Sequence, residues 1–145
     1  MSEVSPATGS QAGPDGAVTL IEADFDAATL AELRGALTAC GAEHGLVDLG
    51  LSNFVLAVNE ITTNAVRHGG GAGRLQVWRA DDDLWCEVSD AGRGIPAGRL
   101  DGHHRPQPGH IGGWGLWLAR HICRSVDIDT GRSGTRVLVR YPLTG

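Results

Sequence analysis

Two runs of alternating apolar and polar residues, Arg74–Arg79 and Leu84–Ser89, stand on either side of Asp81-Asp82-Asp83, and this pattern limits the fold more than any other in the chain. Leu75 and Val77 in the first run and Leu84, Cys86 and Val88 in the second recur at every second position, as strands with one buried face require. Strands joined by so short a connection run antiparallel. Their apolar face then needs a cover, and amphipathic helices are the economical one.

The rest of the chain supplies both layers. Ala17–Glu22 reads as a first strand, and Val126–Thr130 and Thr135–Tyr141 as a closing hairpin that turns at Gly131-Arg132-Ser133-Gly134. Asp26 is the expected N-cap of a first helix reaching about Ala42, with Leu30, Leu33 and Leu37 at i, i+3 and i+7. A second helix, from about Ser52 to His68, gathers Phe54, Val58, Ile61 and Ala65 on one side and Glu60, Thr63, Asn64, Arg67 and His68 on the other. The run Gly69-Gly70-Gly71 stops it. After Asp90, residues up to His110 are rich in Gly, Pro and His without any period, as in a long loop that is functional or disordered. Gly112-Gly113-Trp114-Gly115 then opens a third helix to about Ser125. The order strand, helix, helix, hairpin, loop, helix, hairpin predicts an α+β fold: a two-layer α/β sandwich whose mixed, mostly antiparallel sheet carries three helices on one face. Residues 1–16, small and polar, read as a disordered tail, and 17–145 as a single domain.

Composition excludes several functions. All twelve basic residues among the 145 are Arg, so the lysines of a P-loop, of a eukaryotic-type kinase strand and of aldimine chemistry are missing. Cys40, Cys86 and Cys123 form no C-x-x-C pair and read as small core hydrophobes. No apolar run approaches the roughly 20 residues of a membrane span, and Met1-Ser2-Glu3-Val4-Ser5 resembles no secretion signal; the expectation is a cytoplasmic protein with no membrane contact. The net charge of −5 argues against direct nucleic-acid binding. That charge is uneven: residues 1–60 hold one Arg against nine acids, and 61–145 hold eleven Arg against eight, so the later part suits an anionic ligand.

Three features point to chemistry, each with a plain alternative. Glu60 and Asn64, at i and i+4, can address one ligand, with the amide oxygen on a hard cation and the carboxylate as a base; the alternative is a solvated helix face. Asp90-x-Gly92-x-Gly94 at a strand end can take a hydrogen bond from an exocyclic amine such as that of adenine while the glycines admit a flat ligand; the alternative is an ordinary Asp-Gly turn. Gly113-x-Gly115-Leu116 at a helix start can cradle phosphates with free N–H groups, or can simply pack. Two further patterns mislead. Gly92-Arg93-Gly94-Ile95-Pro96-Ala97 matches a dinucleotide fingerprint, yet Gly98, Gly102, Pro106 and Pro108 deny it the helix it must open. His103, His104 and His110 lack the local Cys or acid of a zinc site.

Together these motifs resemble the GHKL (Bergerat-fold) ATPase superfamily. Glu60-Ile61-Thr62-Thr63-Asn64-Ala65-Val66-Arg67-His68-Gly69 is similar to its N box, Asp90-Ala91-Gly92-Arg93-Gly94 to its G1 box, Gly113-Trp114-Gly115-Leu116 to its G2 box, and Gly134-Thr135 to its late Gly-Thr element near adenine. Within the superfamily, the short chain and the form Glu60-x-x-Thr63-Asn64-Ala65-x-x-His68-Gly69 look like the anti-sigma-factor serine/threonine kinases. The resemblance implies ATP and Mg²⁺, the latter on Asn64; Asp90 accepting from the adenine amine, with Gly92, Gly94 and Thr135 around the base; Gly113, Gly115 and Leu116 at the phosphates; and Glu60 as general base. Arg67, Arg99 and Arg105 are the candidate phosphate contacts, the last two in the place of the family's ATP lid. Ile111 and Gly112 stand where some anti-sigma kinases carry a basic residue. The implied partners are a sigma factor and an anti-sigma-factor antagonist, with a homodimer as candidate assembly. The alternative is an ATP-binding module without serine-kinase activity: a histidine-kinase-type catalytic domain acting with a separate protein, or a pure interaction protein. None of the six histidines is followed by an acid, as a histidine phosphoacceptor commonly is.

Overall fold

A computed structural model of the chain describes residues 16–92 and 114–143. Its elements in chain order are β1 (Val18–Asp26), α1 (Leu30–Glu43), α2 (Asp48–His68), β2 (Ala72–Ala80), β3 (Asp83–Asp90), α3 (Trp114–Ile122), β4 (Ser125–Gly131) and β5 (Gly134–Pro142). The strands form a five-stranded sheet in the order β1-β2-β3-β5-β4, antiparallel at every described pairing. The expected two-layer sandwich is what the chain forms. The hairpin read from the sequence is β2–β3: Ala80 pairs with Asp83, and Asp81 takes the left-handed conformation (φ 54°) that a two-residue turn of this hand demands.

One face of the sheet is covered. Phe25 of β1, Leu75 and Val77 of β2, Leu84, Cys86 and Val88 of β3, and Val137, Val139 and Tyr141 of β5 join one core with Leu33 and Leu37 of α1, Phe54, Val58, Ile61 and Ala65 of α2 and Ala119 of α3. Leu37, Leu75, Val77 and Leu84 are fully buried, each contributing roughly 1.5–3 kcal/mol over an exposed position. Tyr141 keeps its hydroxyl satisfied by donating to the Gly50 carbonyl oxygen at 2.7 Å, which pins the start of α2 to β5. The cysteines belong to this apolar layer: burial raises the Cys40 and Cys86 thiols and pushes Cys123 up to about 12, so none supplies a thiolate near neutrality.

The opposite face carries alternate residues of the same strands, with Trp78 registered against Trp85 and the Arg140 guanidinium 5.1 Å from the Trp85 ring centroid. Asp83 is buried there between Arg124 Nε at 3.1 Å and Arg140 Nε at 2.6 Å.

Boundaries differ from expectation at β1, at the start of α2 and at the end of α3, which stops at Ile122 with Ser125 already in β4. β1 runs on to Asp26, because Ile21, Ala23 and Phe25 continue the inward alternation. Asp26 therefore does not cap α1. Its carboxylate accepts the N–H groups of Ala28 and Thr29 in the turn before the helix, the same hydrogen-bond chemistry a few residues earlier. α2 begins at Asp48 rather than Ser52, with the extended Val47 before it.

Candidate functional site

The C-terminal end of α2 meets the C-terminal end of β3, and glycines make the meeting possible. The Gly69 N–H closes the helix on the Ala65 carbonyl at 2.7 Å. A Cβ on Gly69 would run into the Asp90 carboxyl group, one on Gly92 into the Gly69 backbone, and one on Gly134 (φ 139°) into the Asp90 carbonyl. Asp90 is thus packed among three residues that have no side chain. Its Oδ1 accepts the Gly92 N–H at 2.9 Å, which folds the chain sharply after β3 and leaves acceptor capacity on Oδ2.

Thr135 stands directly opposite Asp90 in the β3–β5 register, and Thr130 directly opposite Thr135 in the β4–β5 register. The row Asp90, Thr135, Thr130 crosses three strands on the helix-bearing face. Thr135 is 7% exposed, and its hydroxyl lies 2.8 Å from that of Thr130. A cavity of about 300 Å³ opens round this end of the sheet, walled by Asp90, Thr130 and Thr135 of the helix-bearing face and by Ser89, Asp129 and Arg136 of the other.

Along α2 the polar pair precedes this end. Glu60 and Asn64 are half-buried beside the stripe of Ala57, Ile61 and Ala65. Neither side chain has a hydrogen-bond partner among the described residues. Helix geometry places Asn64 about 7.5 Å and Glu60 about 13.5 Å before Gly69 along the axis. A ligand whose flat end reaches Asp90 and whose charged end runs back along α2 meets first an amide oxygen, then a carboxylate. The Asn64 amide oxygen is a hard donor suited to Mg²⁺, an ion that usually takes one or two protein ligands and completes its shell with substrate phosphates and water. Among the described residues no group of three or more His, Cys, Asp or Glu forms a self-sufficient metal cage.

Gly115 and Leu116 fall in the first turn of α3, where backbone N–H groups have no intrahelical acceptor. Arg67 is exposed in the last turn of α2. Gly94, Gly113, Arg99 and Arg105 lie outside the described residues, as do His103, His104 and His110. The structure thus brings Asp90, Gly92 and Thr135 together with the end of the helix bearing Glu60 and Asn64. It adds Thr130, which enters through the β4–β5 register, and a contact that the sequence does not show, that of Gly69, the last residue of the N-box resemblance, with Asp90.

The model of the family described as histidine kinase-like ATPase domain matches residues 23–141. Solved structures with a similar fold include the histidine kinase domain of a blue-light-activated histidine kinase from Erythrobacter litoralis, at 23% identity and TM-score 0.51, covering 81% of this chain and 64% of that one. A structure of the RsbU and RsbW domains of a Mycobacterium tuberculosis protein matches at 22% identity and TM-score 0.57, over 84% of this chain and 32% of that one. The mycobacterial sensor histidine kinase MprB matches at 17% identity and TM-score 0.51, over 84% and 97%. The likeness to these structures is one of fold, and this chain spans less than two thirds of the first two. A search of curated proteins returns no significant match.

Proposed function

The chain belongs to the histidine kinase-like ATPase domain family, and from that premise we propose that it is a regulatory kinase of the anti-sigma-factor type, moving the γ-phosphate of ATP to a serine of an antagonist protein and binding a sigma factor. The observation that carries this reading is the half-buried pair Glu60 and Asn64 on α2, the helix whose end packs against Asp90. Asp90 receives the adenine amine, Thr135 lies beside it, and the first-turn N–H groups of α3 receive phosphate oxygens. Asn64 holds Mg²⁺, which supplies charge neutralisation to the phosphates when bound. Glu60 takes the proton of the acceptor serine as its oxygen bonds to the γ-phosphorus, and the bond from that phosphorus to the β–γ bridging oxygen breaks to release ADP. The RsbW domain among the similar structures supports the serine reading, and the histidine kinases among them support the runner-up, an ATP module serving a separate phosphoacceptor.

Incubation of the chain with radiolabelled Mg-ATP and candidate antagonist proteins from the same cell tests the two. The serine reading expects label on serine. It also expects Asn64→Ala to abolish nucleotide binding and Glu60→Ala to spare binding while stopping transfer. Label on histidine, or slow ATP hydrolysis alone, overturns it in favour of the module. Unchanged ATP affinity in Asn64→Ala removes the metal assignment.

A further inference from the structure

The nucleotide reading leaves one concave surface unused. Between α1 and α2 runs a groove of about 460 Å³, walled by Arg34 and Thr38 of α1 and by Leu51, Val55, Leu56 and Asn59 of α2. Leu56 is 45% exposed, and Val47, Leu49 and Leu56 are three of the four exposed large hydrophobic residues among those described. Apolar surface gathered in this way marks an interaction site, whereas single exposed residues would not.

The groove also has a charge. Arg34 is the one basic residue among residues 1–60, and its partner among the described residues is the Asn59 amide oxygen, 3.5 Å from Nε. No acid stands among the described residues of the wall. Glu32 and Glu43 fall on the far side of α1 from Arg34, by the roughly 100° that each residue adds round a helix. Most donors of the guanidinium are therefore free for a carboxylate from outside.

Position ties the groove to the candidate base. Glu60 follows Leu56 by four residues on α2, so it stands on the same side about 6 Å further along the axis. A serine side chain contributes little binding of its own, so a protein that offers one to Glu60 is held by the surface around that residue. We propose that the α1–α2 groove is the docking site of the phosphoacceptor protein, which lays an amphipathic helix there, with an aliphatic side chain between Leu51, Val55 and Leu56 and a carboxylate on Arg34. This rests on the serine-kinase reading given above. A third helix fits a trough between two others by ridge-into-groove packing, and an apolar stripe bearing one acid is the chemistry this trough selects.

The test is steady-state transfer from Mg-ATP to the protein that accepts label on serine in the assay above. KM for that protein and kcat are read separately for the wild-type chain, Arg34→Glu, Leu56→Ala and Glu32→Gln. All three side chains are exposed, and thermal unfolding reports whether each variant keeps the fold. Arg34→Glu is expected to raise KM about 10- to 100-fold, since repulsion replaces a charge-assisted contact. Leu56→Ala raises it about 3- to 10-fold. In both, kcat at saturation and ATP affinity stay within about twofold, and Glu32→Gln changes neither constant. A short peptide carrying the acceptor serine alone is an equally poor substrate for all four chains. Changing the acidic residues of the acceptor protein to arginine one at a time restores KM with Arg34→Glu at one of them. Unchanged KM in Arg34→Glu and Leu56→Ala overturns the proposal, as does failure of every charge swap. Loss of sigma-factor binding at unchanged KM gives the groove to the sigma factor, and a halved sedimentation mass of the chain alone at unchanged KM gives it to a second copy; either result overturns the proposal too. A wild-type chain that labels no protein on serine overturns the kinase reading itself, and shows this before any substitution is made.

Discussion

Strand β3 begins and ends in an aspartate, and the two carboxylates have opposite surroundings. Asp83 points to the face without helices and lies between Arg124 and Arg140, its side chain 5% exposed. Asp90, seven residues on and therefore on the other face, is half-buried and set among Gly69, Gly92 and Gly134, with the Gly92 N–H on one oxygen. The first carboxylate has each of its oxygens on a guanidinium and acts as a clamp between β3, β5 and the segment leading into β4. The second is held firmly in place while keeping acceptor capacity, which is what a ligand-reading group needs. A charged residue in the fold is therefore identified as structural or functional by what already fills its lone pairs, more than by its type or its depth.

Removing each carboxylate separates the two roles. Asp83→Ala leaves two guanidinium groups without their anion, although both are nearly half exposed and can turn to water. The expected cost is about 2–3 kcal/mol of stability in urea unfolding, at the low end for breaking a buried pair. ATP affinity of the folded fraction should stay unchanged. A stable variant that no longer binds ATP would make the clamp part of the site. Asp90→Asn, next in size, keeps the shape and one acceptor but adds an amide donor where the adenine amine is proposed to sit. ATP affinity should fall roughly 10- to 100-fold, with stability altered by less than about 1 kcal/mol. A loss of stability without a loss of affinity would reverse the contrast between the two ends of β3.

How much of this the sequence could supply differs between the two ends as well. The β2–β3 hairpin is legible because alternation and a two-aspartate turn are local signals. The buried stripe of α2 is legible from its 3.6-residue period, yet its first turn is not, since Val47 and Leu49 are exposed and lie off that stripe. Asp26 misleads because capping a turn and capping a helix use one chemistry. Asp90, Gly92 and Thr135 can be found through motif resemblance. The Asp83 clamp could not be, because Arg124 and Arg140 reach it from 41 and 57 residues away. Thr130 escapes for the same reason, and so does the contact of Gly69 with Asp90, although Gly69 closes the N-box resemblance: both arise when strands and helix are brought into register.

A third carboxylate on β3 sharpens the comparison with the smallest expected effect. Glu87 shares the outer face with Asp83 and is 9% exposed, but Arg136 at 3.7 Å is its single ion-pair partner among the described residues. Burial raises its pKa above the ordinary 4.5, and Arg136 only partly opposes this. A raised carboxylate pKa means that the folded state binds more protons than the unfolded state between the two values. Stability therefore falls as pH rises through that window, and the penalty is fully present above the folded-state pKa. Glu87→Gln removes the charge and keeps the shape. At pH 7 the variant should be more stable than the wild type, by less than about 1 kcal/mol because the Arg136 contact is also lost. The difference should shrink as pH is lowered through the raised pKa and vanish below 4.5, read as the gap between urea midpoints at matched pH. A destabilised variant at pH 7 would place Glu87 with Asp83, as a clamp whose guanidinium outweighs the cost of its burial.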